Sequence, residues 1–122
     1  RKLKRRDKDI EEYKAQITEL TDISQGLVYY SMTIQNQNIS QIGKQGIRQL
    51  LASFKVIDEK YSERLENYDL NPSQSLFCIL YHIGKSDEEV MQILQYSLSN
   101  IRVRKSRIKS DTGAASVDDS IR

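Results

Sequence analysis

The sequence holds one cysteine, one histidine and one proline in 122 residues, and no tryptophan. One thiol cannot build a disulfide framework, and with a single histidine it leaves no ligand set for a protein-built zinc site. A reducing compartment is the default expectation. There is no apolar run of the roughly 18 residues that a membrane-spanning helix needs, and no signal-peptide pattern. A Gly-rich phosphate loop, a Ser/His/Asp arrangement and a metal-ligand cluster are all missing. That argues against an enzyme, a cofactor or a small-molecule ligand. Cys78 and His82 lack partners that would activate them and are expected to pack or face solvent. The acids Asp87, Glu88 and Glu89 fall where a helix starts, a position the helix dipole favours without any catalytic role.

What is present is helical pattern and segregated charge. Hydrophobic residues make up 38% of the chain and charged residues 30%, with a mean hydropathy of −0.63. These values suit a small helical domain carrying a long exposed element. The sequence opens on Arg1 rather than Met, so a piece of a longer protein is expected. The net charge of +2 is uninformative until it is located: residues 1–8 carry +5, 9–96 carry −6, 97–109 carry +5 and 110–122 carry −2. Two basic poles on an acidic body are the local footprint that phosphate binding needs, although a single basic helix can also be a plain solvated face.

Arg1 to Arg6, RKLKRR, leads directly into a helical pattern. It reads as the charged end of a coiled coil, as a second phosphate-contacting arm, or as the cytoplasmic flank of a membrane helix lying upstream. From Asp9 to Ile34 the apolar steps alternate three and four, through Ile10, Tyr13, Ile17, Leu20, Leu27 and Ile34, with Ser24 and Ser31 in phase. That is heptad spacing over a helix of about 40 Å at 1.5 Å per residue. The expected partner for this stripe is a second copy in parallel, giving a homodimer; the alternative is packing on the next long helix. Gln35 to Gln45 is Gln/Asn-rich and runs into Gly43 and Gly46, which predicts a joint near Asn38–Gly46. Ile47 to Tyr68 then predicts a second helix, with Ile47, Leu50, Leu51, Phe54, Ile57, Tyr61, Leu65 and Tyr68 on one face.

The last ordered stretch, residues 70–109, predicts three short helices. Asn71, Pro72 and Gln74 start the first, with Leu76, Phe77, Leu80 and Ile83 inward and Gly84 as its stop. A Ser86/Glu89 capping box opens the second, with Val90, Ile93 and Leu94 buried, ending at the Gln95-Tyr96 turn. Ser97 caps the third, which carries Arg102, Arg104, Lys105, Arg107 and Lys109 and no acid. Residues 110–122 predict an unstructured tail, with a short docking helix around Ala114–Ile121 as the alternative.

Leu70-Asn71-Pro72, Gly84-Lys85-Ser86-Asp87-Glu88-Glu89-Val90, and Ser97 with Ile101-Arg102 and Ile108 together resemble the LuxR/GerE-type helix-turn-helix domain of bacterial transcription regulators. The likeness covers about a third of the chain. Two departures stand out: Arg104 replaces the family's usual His, and Ser110 to Gly113 replaces its basic-Leu-Gly ending and fourth helix. The resemblance implies an all-α chain divided into a dimerising coiled-coil helix (1–42), a connecting helix (43–69), a DNA-binding unit (70–109) and a tail (110–122).

It further implies a dimeric transcription regulator in signal transduction, cytoplasmic or on the cytoplasmic side of an inner-membrane-anchored sensor. Its partners would be double-stranded DNA, a second copy, and RNA polymerase as a further contact. The helix after Ser97 would enter the major groove with Ser99, Asn100, Arg102, Lys105 and Ser106 facing the bases. Arg102 and Lys105 are the expected guanine readers, and Asn100 suits adenine or a phosphate. Lys109 and Arg107 would contact phosphates, with Lys85 as a helper. The competing reading is a coiled-coil signalling module whose degenerate helix-turn-helix docks onto a protein, which the missing family ending and an exposed Leu98 favour.

Overall fold

The computed structural model describes residues 2–113, with side chains from Lys8 onward. It is all-helical: α1 Lys2–Ile34, α2 Gly43–Ile57, α3 Glu59–Glu66, α4 Pro72–His82, α5 Asp87–Leu94 and α6 Leu98–Thr112.

The first helix has two separate working faces. Ile10, Tyr13, Ile17, Leu20, Leu27 and Ile34 all stay exposed, Leu20 by 64%. A different face, formed by Asp22, Gly26, Tyr29, Tyr30 and Thr33, packs antiparallel on α2. Gly26 lies at the crossing, where a Cβ would fall 1.9 Å from the Gln49 carbonyl oxygen, so only glycine lets the backbones come this close. Gln49 Nε2 also donates to Asp22 Oδ1 at 3.0 Å. Packing on the next helix therefore occurs without using the heptad stripe.

The chain leaves α1 at Ile34, ahead of the joint expected near Asn38–Gly46. Asn36 takes the left-handed conformation (φ 58°), and residues 37–39 have no regular secondary structure before α2 begins. The single helix expected over Ile47–Tyr68 is broken at Asp58 (φ −140°, ψ 82°). There the carboxylate accepts from the Tyr61 N–H at 3.1 Å and caps α3, a local bond that competes with helix continuation. The bend turns Ile57 out to 45% exposure, against its expected inward place, while Phe54, Tyr61 and Leu65 remain buried.

Both capping boxes form as their sequences dictate, Asn71 with Gln74 and Ser86 with Glu89. Gly84, at φ 95°, supplies the turn after α4. Gln95 makes the left-handed turn between α5 and α6 (φ 58°), and Ser97 caps α6. One core joins all of these parts: Leu50 and Phe54 from α2, Leu76, Phe77 and Leu80 from α4, Val90 and Ile93 from α5, Ile101 and Ile108 from α6. Each such side chain contributes about 1.5–3 kcal/mol by burial, which a unit as short as 70–109 would otherwise have to find alone. The tail expected from Ser110 begins as helix instead. Thr112 Oγ1 donates to the Ile108 carbonyl at 2.8 Å, and Gln74 Nε2 reaches Asp111 Oδ2 at 3.0 Å. The docking-helix alternative at Ala114–Ile121 lies outside the described residues, as does Arg1.

Candidate nucleic-acid interface

Ile101 and Ile108 are fully buried and, two turns apart, fix which side of α6 faces inward. The side turned away from them exposes Ser99, Arg102, Val103, Ser106, Arg107 and Lys109. Sequence spacing had placed all of these except Val103 in the candidate site. Val103 is 47% exposed and stands between Arg102 and Ser106/Arg107 on the helix surface. The signal for it was available: two residues beyond Ile101, it falls out of phase with the inward pair.

Other candidate side chains are engaged within the molecule. Arg104 Nε donates to Asn100 Oδ1 at 3.0 Å, and its guanidinium lies 4.1 Å from the Tyr96 ring centroid. Lys105 Nζ donates to Asp87 Oδ1 at 2.7 Å and lies 4.6 Å from the Tyr81 ring centroid. Its hydrogen bond holds the Asp87 carboxyl below the ordinary carboxylate range, with the Tyr81 hydroxyl assisting. Lys85 is directed elsewhere. Its ammonium donates to the Ile34 carbonyl at 3.0 Å and to Asn36 Oδ1 at 2.6 Å, with Glu89 Oε2 at 3.8 Å. The candidates thus divide: Ser99, Arg102, Ser106, Arg107 and Lys109 share one exposed face, while Asn100, Lys105 and Lys85 are held by protein partners. Asp87 and Tyr96 were read from sequence only as a helix-start acid and a turn residue, and Tyr81 not at all; their hold on Lys105 and Arg104 was missed.

Chemically, three exposed cations interleaved with small hydroxyls and one branched apolar side chain can meet a polyanion and its grooves. Elsewhere the molecule offers little chemistry. Burial pushes the Cys78 thiol up to about 12, which makes it inert at neutral pH. His82 stacks on Tyr61 with ring centroids 3.7 Å apart and bonds Asp58 Oδ2 at 3.0 Å. Among the described residues no group of three or more His, Cys, Asp or Glu could hold a metal ion, and no helix is long and apolar enough to cross a membrane. No protein-family model, curated protein or solved structure matches this chain.

Proposed function

We propose that the chain is the dimerising and DNA-binding part of a transcription regulator of the LuxR/GerE kind, acting in the cytoplasm with α6 in the major groove. The observation that carries this reading is the outward cationic face of α6, set by the inward Ile101/Ile108 pair and presented after the short turn from α5. Helix, tight turn and basic helix are the order of a helix-turn-helix reader. On this face Arg102 suits guanine O6/N7 and Val103 a thymine methyl, while Arg107 and Lys109 suit phosphates. Lys105 reads a base only by leaving Asp87.

The intact stripe on α1 supports the dimer. In the heptad frame with Ile10 at position a, Asp9 falls at g and Lys14 at e. Those two positions meet with opposite charge between parallel copies, so a second copy alongside in the same direction is the matching partner. α2 covers the opposite side of α1, and among the described residues the stripe stays exposed to that approach. The test is duplex binding measured against salt concentration. The logarithm of affinity should fall steeply, by about 0.9 per phosphate contact for each tenfold rise in salt. Affinity for a protein, with little salt response, would sink the reading. That outcome would favour the second reading, protein docking, for which the exposed Leu98 and Val103 on α6 speak.

A further inference from the structure

The cluster around Lys85 is unused by the reading above, and it joins the end of the rod to the start of α5. Lys85 Nζ bonds the carbonyl of Ile34, the last residue of α1, and the side chain of Asn36. Asn36 Nδ2 in turn donates to Glu89 Oε2 at 2.9 Å. The other carboxylate oxygen of Glu89 accepts from the Ser86 N–H at 3.0 Å and closes the capping box of α5. At the far end of the same helix the Ile39 N–H donates to the Ile93 carbonyl at 2.9 Å. Residues 36–39 are therefore fastened to α5 at both of its ends. The Lys85 side chain is only 11% exposed, so its ammonium has exchanged most of its water for these partners. An ammonium withdrawn from water is costly unless its bonds are made, which favours one geometry at the joint. It also places positive charge at the negative end of a long helix.

We propose that Lys85, Asn36 and Glu89 are positioning residues that lock the orientation of α5 and α6 on α1. In a dimer they hold the two α6 faces at one separation. The orientation is relayed by two bonds made on α5: Glu89 ties it back to the rod, and Asp87 ties it forward to Lys105 of α6. The second half of the proposal rests on the DNA-binding reading; the lock itself does not. Two half-sites about one helical turn, 34–36 Å, apart reward a dimer only if its reading faces are held that far apart. A loose joint spreads the second face over many positions and lowers its effective concentration at the second site.

Two variants break the lock and spare the backbone. Asn36→Gly removes the side-chain bonds while accepting the left-handed turn freely. Lys85→Met keeps the aliphatic stem and removes the charge. Spin labels at Thr21→Cys on α1 and Ser106→Cys on α6, in protein diluted with unlabelled chain, read the distance between the two helices without any DNA. A narrow distribution is expected for the parent and a clearly broadened one for each variant. Equal widths overturn the lock, whether or not the protein binds DNA. In parallel, duplexes selected by the parent are offered with one half-site, with two in register, and with two displaced by half a helical turn. Asn36→Gly should keep single-site affinity within about twofold, and each variant should lose tenfold or more of the in-register advantage. Retention of that advantage by both variants overturns the second half of the proposal. A parent that selects no duplex overturns the DNA reading, and the distance measurement still decides the lock.

Discussion

Lys105 Nζ and Tyr81 Oη converge on one oxygen of Asp87, at 2.7 and 2.6 Å. The pair Asp87–Lys105 spans from the first residue of α5 to the middle of α6 and competes directly with any use of Lys105 on DNA. Asp87→Asn should therefore raise duplex affinity several-fold at low salt, since it releases a cation and removes a charge that repels phosphate. The salt slope should steepen by no more than about 0.9, one phosphate contact. Fluorescence anisotropy on a labelled duplex checks this; unchanged affinity and slope would mean Lys105 stays off the DNA.

The same carboxylate predicts a direction for acid stability. Asp87, through Lys105 and then Tyr81, and Asp58, through His82 and then the Tyr61 N–H, both have folded pKa values lowered from the ordinary carboxyl value. A lowered folded value means that the stabilisation is complete above the unfolded pKa and is lost as pH falls through the folded one. Urea midpoints should hold from neutral pH down to about 5 and then decline below about pH 4. Both groups are more than a third exposed on their side chains, so solvent screening limits each contribution to about 1 kcal/mol or less. In Asp87→Asn the decline should be shallower.

Arg102 faces solvent without an acid beside it on α6. Arg102→Ala should cost about 1–3 kcal/mol of binding to a selected duplex and relax the preference at one base pair. Lys109→Ala should weaken all duplexes alike, the signature of a phosphate contact. Competition binding against single-base variants of the selected site separates the two.

Leu20 is 64% exposed on the heptad stripe and lies outside the buried core cluster. Leu20→Asp should abolish self-association in sedimentation equilibrium and leave the helical circular dichroism of the folded body nearly unchanged. A parent chain that is monomeric at tens of micromolar would refute the pairing outright.

Tyr61 is 3% exposed, and its hydroxyl is buried without a hydrogen-bond partner among the described residues. Burial pushes that phenol far up its scale. An unsatisfied buried hydroxyl costs about 1–3 kcal/mol, and phenylalanine keeps the stack on His82 and the edge contact with Phe54. Tyr61→Phe should therefore stabilise the fold, and a chemical denaturation midpoint at or below the parent's would contradict this.

Local chemistry was readable in the sequence wherever neighbours within four residues decide the outcome. Asn71 with Gln74, Ser86 with Glu89, Ser97 and Gly84 each act over such distances, and all behave as written. The helical run of α1 was readable for the same reason. The Asp58 break was not, because Phe54, Tyr61 and Leu65 keep helical spacing across it and only a capping carboxylate marks the turn. Partner choice was the larger loss. Lys85 and Lys105 look alike as exposed bases in the sequence, yet one ends on α1 and the other on α5 through pairings 51 and 18 residues apart. Such matches belong to the assembled core and have no local pattern. Gly26 illustrates the same point: a glycine inside a heptad helix reads as a weak spot until its neighbour is known to be the Gln49 backbone.

The division of α1 into two non-overlapping faces sets how this molecule can come apart. Residues that bury Gly26 against α2 are not those of the Ile10-to-Ile34 stripe, so in the proposed dimer folding of the body and pairing of the rods would draw on separate groups of atoms. If the proposed dimer forms, substitutions on the stripe would tune association strength without unfolding a subunit. Heating a dilute sample of such a dimer would dissolve the pair at a temperature that tracks protein concentration, while the body would melt later at one that does not.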